Sequence, residues 1–218
     1  VFEPRHAAIA AAFDLIAYTD TGLERMHREF GFAAQAAYVP LGATRAGAVP
    51  PVRERDPDLV FVAAPTANRT ELLAGIRAPL RIVGPNWHRE PGIAHHRLDS
   101  KKVGARALVR YYARHRGVLN IRHGVYVVNG LNQRHFAPYV MGAPVVSDAQ
   151  PDIPECFEPG REIFVWRDAA ELEALYAELR ADPARAAAVG AAGQRRVLAQ
   201  HTYAHRLISL ARLAGVKA

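Results

Sequence analysis

The stretch DLVFVAAPTANRTELLAGIRAPLRIVGP, residues 58–85, decides the fold. Leu59 to Ala63 is an apolar run too short for a helix, and Pro65 closes it. Thr66 or Asn68 then offers an N-cap, and the helix behind it reads through to Ile76. Leu80 to Val83 is a second apolar run, ended by Gly84-Pro85. Neither run alternates strictly with polar residues, so both faces of each strand are covered. Strands of that kind lie parallel, with helices on both sides of the sheet.

The alternation continues downstream. Apolar residues at 105, 108, 109 and 112 give Gly104 to Arg114 a helical period. Val118 to Ile121 is a strand. Gln133 to Met141 is a short helix, with Pro138 confined to its first turn or to a kink. Gly142-Ala143-Pro144 leads into strand Val145-Val146, and Ile163 to Trp166 is the last strand. Asp168 caps a helix to about Ala181, with Glu171 at the third position. Pro183 opens another that reaches Gly193 or beyond, and Tyr203 to Leu213 is a terminal amphipathic helix. Residues 86–100 have no clear period and read as loop.

Upstream, strand 13–18, helix 21–30 and strand 36–41 form a β-α-β piece of their own. Thr19 or Asp20 caps that helix and Gly31 stops it. Residues 46–57, with Gly47, Pro50 and Pro51, are the linker. The expected fold is therefore α/β. A three-layer αβα domain with a mainly parallel sheet spans 58–200, with strands near 60, 81, 119, 145 and 164. Residues 1–45 are part of a second domain, and 201–218 form a closing helix. The apolar surface of the 1–45 piece needs a cover, from a missing domain or an oligomer partner.

Of 218 residues, 50% are hydrophobic, so a sizeable core is available and global disorder is excluded. The 28 Lys and Arg exceed the 21 Asp and Glu by 7. The excess is Arg, spread along the chain. Its densest stretch, Lys101 to Arg116, holds 6 basic residues in 16. Aromatics are not interleaved as stacking platforms, so nucleic acid is not the expected partner. A phosphate-bearing small molecule is an equally good use of surplus Arg, through bidentate contacts. The single Cys156 excludes an intrachain disulfide and reads as a small buried hydrophobe before a nucleophile. No run of 18 apolar residues occurs, so no transmembrane segment is expected. The opening Val1-Phe2-Glu3-Pro4 has neither part of a signal peptide and no initiator Met. The expectation is a cytoplasmic chain whose true start lies upstream.

Ligands in such folds sit at the carboxyl ends of the strands, so the candidates are the residues just past each strand. After 59–63 comes Pro65-Thr66-Ala67-Asn68-Arg69 at a helix start, where an anion gains from the helix and Arg69 adds charge. A capped helix with a solvated Arg is the bland alternative. After 80–83 comes Trp87, which either lines a pocket or plugs the core. After 118–121 come Arg122-His123-Gly124 and then Asn129-Gly130-Leu131-Asn132-Gln133-Arg134. That polar loop delivers a helix start with Arg134 in its first turn, and Gly130 permits close backbone approach. It is the chain's best anion cradle, although it matches neither a P-loop nor GxGxxG. Ser147 and Asp148 come directly after 145–146. His95-His96 and His201/His205 have metal-like spacing without a third ligand, so no metal is expected.

Several longer motifs stand in one co-linear order. They are Gly130-Leu131-Asn132-Gln133-Arg134-His135-Phe136, Gly142-Ala143-Pro144-Val145-Val146-Ser147-Asp148, and Phe157-Glu158-Pro159-Gly160-Arg161-Glu162. The closing run is Gly193, Arg196-Val197-Leu198, His201-Thr202-Tyr203 and His205-Arg206. Together they resemble the C-terminal domain of a GT-B glycosyltransferase, in the CgeB-like (spore maturation protein) branch of the group 1, family 4-like enzymes. Leu80 to Trp87 and Leu119-Asn120-Ile121 resemble further parts of that domain. Residues 13–43 resemble the end of the N-terminal, acceptor-side domain.

The resemblance implies a Rossmann-like GT-B architecture and transfer of a sugar from a nucleotide diphosphate donor to an unknown acceptor, without a metal. It makes 58–200 the donor-binding domain and sends helix 203–213 back across to the other domain. Arg69 and Arg134 are then the candidates for the diphosphate. Asn68, Asn120, His123, Asn132 and Gly130 join them as candidates for sugar or phosphate, with Trp87, Ser147 and Asp148 as pocket residues. Backbone groups of 97–103 are candidates for the base edge. Two positions depart from the pattern: relatives commonly hold the donor ribose with a Glu where this chain has Ala137, and the wider group has another where it has Asn129. That route to the ribose is closed here. The absent carboxylates and absent first domain favour, as the alternative, a nucleotide-sugar-binding or partner-binding module without turnover.

Overall fold

The computed structural model describes residues 9–31, 36–45 and 54–216. Two short strands, β1 (Ile16–Tyr18) and β2 (Ala36–Tyr38), pair in parallel and stand apart from the main sheet. Between them lies a single 3-10 turn, Thr21–Leu23, followed by α1 (Glu24–Glu29). Asp20 is the cap, accepting from Gly22 N at 2.9 Å.

The main sheet has six strands, β3 (Asp56–Val62), β4 (Arg81–Val83), β5 (Arg97–Asp99), β6 (His115–Asn120), β7 (Val145–Asp148) and β8 (Phe164–Trp166). Their order is β5-β4-β3-β6-β7-β8, and every neighbouring pair is parallel. The order runs outward from β3 in one direction and from β6 in the other. That reversal splits the covering chain and opens a crevice at the carboxyl ends of β3 and β6. The covering helices are α2 (Ala67–Gly75), α3 (Ala105–Arg114), α4 (Ala137–Val140), α5 (Ile153–Cys156), α6 (Ala169–Ala181), α7 (Pro183–Gln200) and α8 (Tyr203–Leu213).

Successive strand residues point to opposite faces, and each face has its own core. Val60, Val62, Val118 and Val145 pack with Tyr112, Phe136, Tyr139 and Val197 on one side. Leu59, Phe61, Leu119, Val146 and Phe164 pack with Leu73, Trp87, Leu172 and Val189 on the other. Full burial of each such side chain contributes about 1.5–3 kcal/mol, which is why both faces of these strands read as apolar. Asp168 caps α6 by accepting from Glu171 N at 2.9 Å, the expected pairing.

Four segments differ from the sequence expectation. Residues 86–100 are not all loop: a 3-10 turn spans Trp87–Arg89 and β5 is an edge strand. Arg97-Leu98-Asp99 escapes periodicity because an edge strand has one partner only, and its polar Asp99 pairs with Arg81 of β4. The 133–141 helix breaks into a 3-10 turn, Gln133–His135, and α4, which keeps Pro138 in its first turn, where no N–H is needed. Residues 153–156 form an unexpected short helix. Of the 46–57 linker, residues 46–53 lie outside the described residues, and Asp56 and Pro57 already belong to β3.

The excess of Arg has a structural use. Arg55 donates to the carbonyls of Tyr112 and Ala113 at 2.8 Å and of Met141 at 2.6 Å, closing the ends of α3 and α4. Arg116 does the same for Leu179 and Arg180 near the end of α6. Helix ends leave such carbonyls without partners, and a guanidinium carries five donors. Arg206 of α8 donates to Leu41 O at 3.1 and 3.0 Å, and Ala43 N to His201 O at 2.9 Å, so the chain after β2 is tied to the last helix.

Candidate functional site

The crevice between β3 and β6 gathers most of the polar residues singled out by sequence. Arg69 stands in the first turn of α2, directly after β3. It is buried, and its Nε and Nη2 donate to Ile121 O at 3.2 and 2.9 Å while Nη1 donates to Ala64 O at 3.1 Å. Arg69 therefore staples the chain leaving β3 to the chain leaving β6. Its donors are directed at carbonyls rather than into the crevice, which corrects the expectation of a ligand-facing side chain. Its charge remains. Burial and then the charge of Arg134 bring its pKa down to about 10, with Asp148 opposing.

Arg134 sits in the 3-10 turn that opens after the long β6 loop. Its Nε donates to Asn120 Oδ1 at 3.0 Å. Asn132 Oδ1 accepts from Arg134 N at 2.8 Å, so the turn is already capped by its own side chain. The anion cradle expected from open backbone N–H groups is thus taken up internally, and the attraction for an anion rests on the guanidinium. Among the described residues, neither Arg69 nor Arg134 has a carboxylate in ion-pair contact. Asp148 turns to Arg122 instead, with Nε at 3.7 Å and the backbone N at 3.2 Å, and accepts from Gln150 at 2.9 Å. Burial holds Arg134 below its ordinary value and lifts Asp148 above its own.

Beneath Arg134 lies a polar network in which Asn120, His135 and Ser147 are fully buried. Asn120, the last residue of β6, directs Oδ1 to Arg134 Nε and to Asn132 Nδ2 at 3.2 Å. Its Nδ2 faces His135 Nε2 at 2.9 Å, and Ser147 Oγ at the end of β7 lies 2.9 Å from the same nitrogen. Burial first, with the Arg134 charge in support, pushes His135 down to about 3, so the ring is neutral. A neutral ring can take the amide N–H of Asn120, and that fixes which end of the amide meets Arg134. Asn120, Asn132 and Ser147 are therefore spent on holding the arginine. His135 and Gln150 escaped the sequence reasoning. Only the spacing from Asn132 to His135, that of a capping box, signals the histidine.

The remaining candidates have other settings. Asn68 Nδ2 donates to Arg122 O at 3.1 Å, which ties the start of α2 to the β6 loop. His123 stacks on exposed Tyr126, with ring centroids 4.6 Å apart. A Cβ on Gly130 would stand 2.6 Å from Asp20 Cβ, so the close approach this glycine permits is that of the β1–α1 piece rather than of a ligand. Asp20 also accepts from Val128 N and Asn129 N, each at 2.9 Å. Trp87 is a core plug: fully buried, edge-on to Phe61, and donating Nε1–H to Ala63 O at 2.7 Å. Cys156 is buried, and burial pushes its thiol up to about 11, too high for a nucleophile. His95 and His96 meet the carbonyls of Ile76 and Leu73 at 2.7 and 2.8 Å, while His201 faces Arg206 and His205 faces Thr202. Among the described residues no three metal-ligating side chains come together.

Solved structures of similar architecture are numerous. Sucrose-phosphate synthase from Thermosynechococcus elongatus superimposes with a TM-score of 0.71 at 18% identity, covering 96% of this chain and 59% of that one. HepE of Anabaena, solved in complex with UDP and glucose, gives 0.73 at 12% identity over 99% of this chain and 68% of that one. The GtfA/B complex gives 0.68 at 13% identity over 97% and 47%. The chain thus spans about half to two thirds of the length of these proteins, and shares with them the α/β fold of GT-B type. Comparison with curated protein sequences yields no match. Residues 63–212 match the family model described as glycosyl transferase-like, and the chain belongs to that family.

Proposed function

We propose that this chain carries the donor-binding half of a GT-B glycosyltransferase of the CgeB-like branch, acting in the cytoplasm without a metal. One observation carries this reading. Arg134 and Arg69 bring two guanidinium charges together at the switch point of the sheet, and neither has a carboxylate in ion-pair contact among the described residues. Two such cations call for an anion with two negative groups, and a nucleotide diphosphate supplies it. In the transfer step the bond from the anomeric carbon to the diphosphate oxygen breaks, and an acceptor atom takes its place on that carbon. The leaving diphosphate gains charge, and a pre-placed guanidinium stabilises it. Arg134 contacts the diphosphate in this proposal, Arg69 adds its field from behind, and Asn120, Asn132 and His135 are positioning residues.

HepE is solved with UDP, which makes uridine diphosphate the first probe. The β1–α1–β2 piece is proposed as the acceptor-side remnant. Between it and the β6 loop runs a cleft of about 590 Å³ lined by Ile16, Tyr18, Met26 and Tyr126. The rest of that domain, or an oligomer partner, is proposed to cover it. Titration of UDP, GDP and ADP into the chain by calorimetry tests the donor site. Arg134→Ala is expected to weaken binding about tenfold or more, and Arg134→Lys to recover only part, because an ammonium cannot fork. Unchanged affinity with a lowered melting temperature would make Arg134 purely structural and end the proposal. Ala137 and Asn129, in place of two carboxylates, favour the second reading of a binder without turnover; donor hydrolysis by the two-domain protein separates the two.

A further inference from the structure

A second cleft opens at the other end of the sheet. It has a volume of about 940 Å³ and lies where β3 begins, beside the last turns of α3 and α6. The length of β3, about 20 Å, separates it from the crevice. Its lining carries five arginines and three carboxylates, an excess of two positive charges. Some of these groups serve the fold. Asp58 is buried between Arg97 and Arg180, each 3.4 Å away, and accepts from Tyr176 at 3.0 Å. Arg55 closes the carbonyl end of α3. The rest are not spent in this way. Arg110 and Arg114 of α3, and Glu54 ahead of β3, make no hydrogen bond and no ion pair among the described residues. Asp56 accepts from Asp58 N at 3.2 Å and has no cation in ion-pair contact among the described residues.

The strand side of the cleft thus offers two carboxylates, and the helix side two guanidiniums one turn apart. They stand too far from each other to pair, so each set is left to a ligand. A plain anion would meet Glu54 and Asp56 as well as the arginines, and a plain cation would meet the arginines. A molecule with charge of both signs answers both sides at once. The excess of two positive charges calls for a dianionic group on it rather than a single carboxylate. We infer that this cleft binds a small zwitterion, with an ammonium set against Glu54 and Asp56 and a phosphate forked by Arg110 and Arg114. The volume is in the range of small-molecule sites. None of these four residues belongs to the donor crevice, and the inference does not rest on the donor reading.

The test is calorimetric titration of the full chain with O-phosphoserine and with 3-phosphoglycerate, which has a hydroxyl in place of the ammonium. The wild type is expected to bind O-phosphoserine about tenfold more tightly than 3-phosphoglycerate. The variant R110Q/R114Q is expected to bind O-phosphoserine about tenfold more weakly and UDP as the wild type does. The variant E54Q/D56N is expected to bring O-phosphoserine and 3-phosphoglycerate within about twofold of each other. Unchanged circular dichroism melts show that the variants are folded. If a double variant melts early, the exposed single changes Arg110→Gln and Glu54→Gln are each expected to give roughly a threefold part of the same effect. Absence of O-phosphoserine binding, equal affinity of the wild type for the two ligands, an unaffected R110Q/R114Q variant, or displacement of O-phosphoserine by UDP overturns the inference. UDP titrated into the same samples reports on the crevice alone, so the donor reading and this one fail separately.

Discussion

Asn120 Oδ1 accepts from Arg134 Nε at 3.0 Å, and this bond ties the cation of the crevice to the last residue of β6. Asn120 is fully buried and paired with Ser147 of β7, so the guanidinium takes its position from the sheet. Asn120→Ala is expected to leave Arg134 in place chemically but loosely held. A charge-assisted hydrogen bond is worth roughly 1.5–3 kcal/mol, so UDP affinity is expected to fall about tenfold or more. Asn120→Asp restores the acceptor for Arg134 but adds a negative charge where an anion must sit. It is expected to weaken UDP binding while leaving Arg134 fixed. Calorimetric titration of both variants checks this; wild-type affinity in Asn120→Ala would show that Arg134 needs no such anchor.

Two buried histidines, His135 of this network and His201 beside Arg206, predict a pH dependence of stability. His135 is held down to about 3 and His201 to about 4 in the folded chain, each chiefly by burial. Their ordinary value near 6.5 returns on unfolding. The unfolded chain therefore binds protons first as pH falls, and stability present above about pH 6.5 is lost progressively toward pH 4 and below. Asp148, lifted by burial, acts in the opposite sense, but only once the carboxylate range is reached. The melting temperature is expected to fall steadily between pH 7 and 5. In His135→Gln it is expected to start lower at pH 7 and to fall less. Parallel slopes for the two proteins would remove His135 from the titrating set.

The strands were readable where the physics is local. Leu59 to Ala63 and Leu80 to Val83 are apolar because both faces of central strands are buried, and that leaves a mark in the residues themselves. Arg97-Leu98-Asp99 leaves none, since an edge strand is defined by a neighbour rather than by its own composition. The site divided in the same way. The position of Arg134 after β6 comes from strand–loop–helix order. The occupation of Arg69 by Ile121 O comes from two strand ends meeting in space, and no local pattern records that. His135 was invisible because its burial is contributed by β6 and β7, not by its own turn.

Gly130 and Asp20 predict how firmly the β1–α1 piece is held. Asp20 accepts three backbone N–H groups, from Gly22, Val128 and Asn129, and Gly130 leaves the room for it. Gly130→Ala would place a methyl group 2.6 Å from Asp20 Cβ, and backbone must shift to admit it. Both Gly130→Ala and Asp20→Ala are expected to destabilise by roughly 1–3 kcal/mol, one by overpacking and the other by orphaning buried donors. Hydrogen exchange locates the effect: the amides of Val128 and Asn129 should exchange faster in each variant. Protection unchanged at those two amides, with stability lost elsewhere, would assign the tie to other contacts.

Ala137 makes the last prediction. It opens α4 beside a cavity of about 230 Å³ lined by Leu108, Val109, Tyr112, Gln133 and Met141. No carboxylate lines that cavity, so a ribose hydroxyl meets no charged acceptor there; the polar side chains on its wall, Thr44, Tyr112 and Gln133, are uncharged. A hydroxyl held by a charged group costs more to remove than one held by a neutral group. UDP and 2′-deoxy-UDP are therefore expected to bind the wild type within about threefold of each other. Ala137→Glu places a carboxylate at the first position of α4, where a helix start tolerates negative charge. That variant is expected to favour UDP over the deoxy form by about tenfold, the worth of one charge-assisted hydrogen bond. Competition titrations with the two nucleotides read the ratio directly. Strong discrimination already present in the wild type would mean that another group of this chain holds the ribose, with the backbone of residues 97–103 the next candidate.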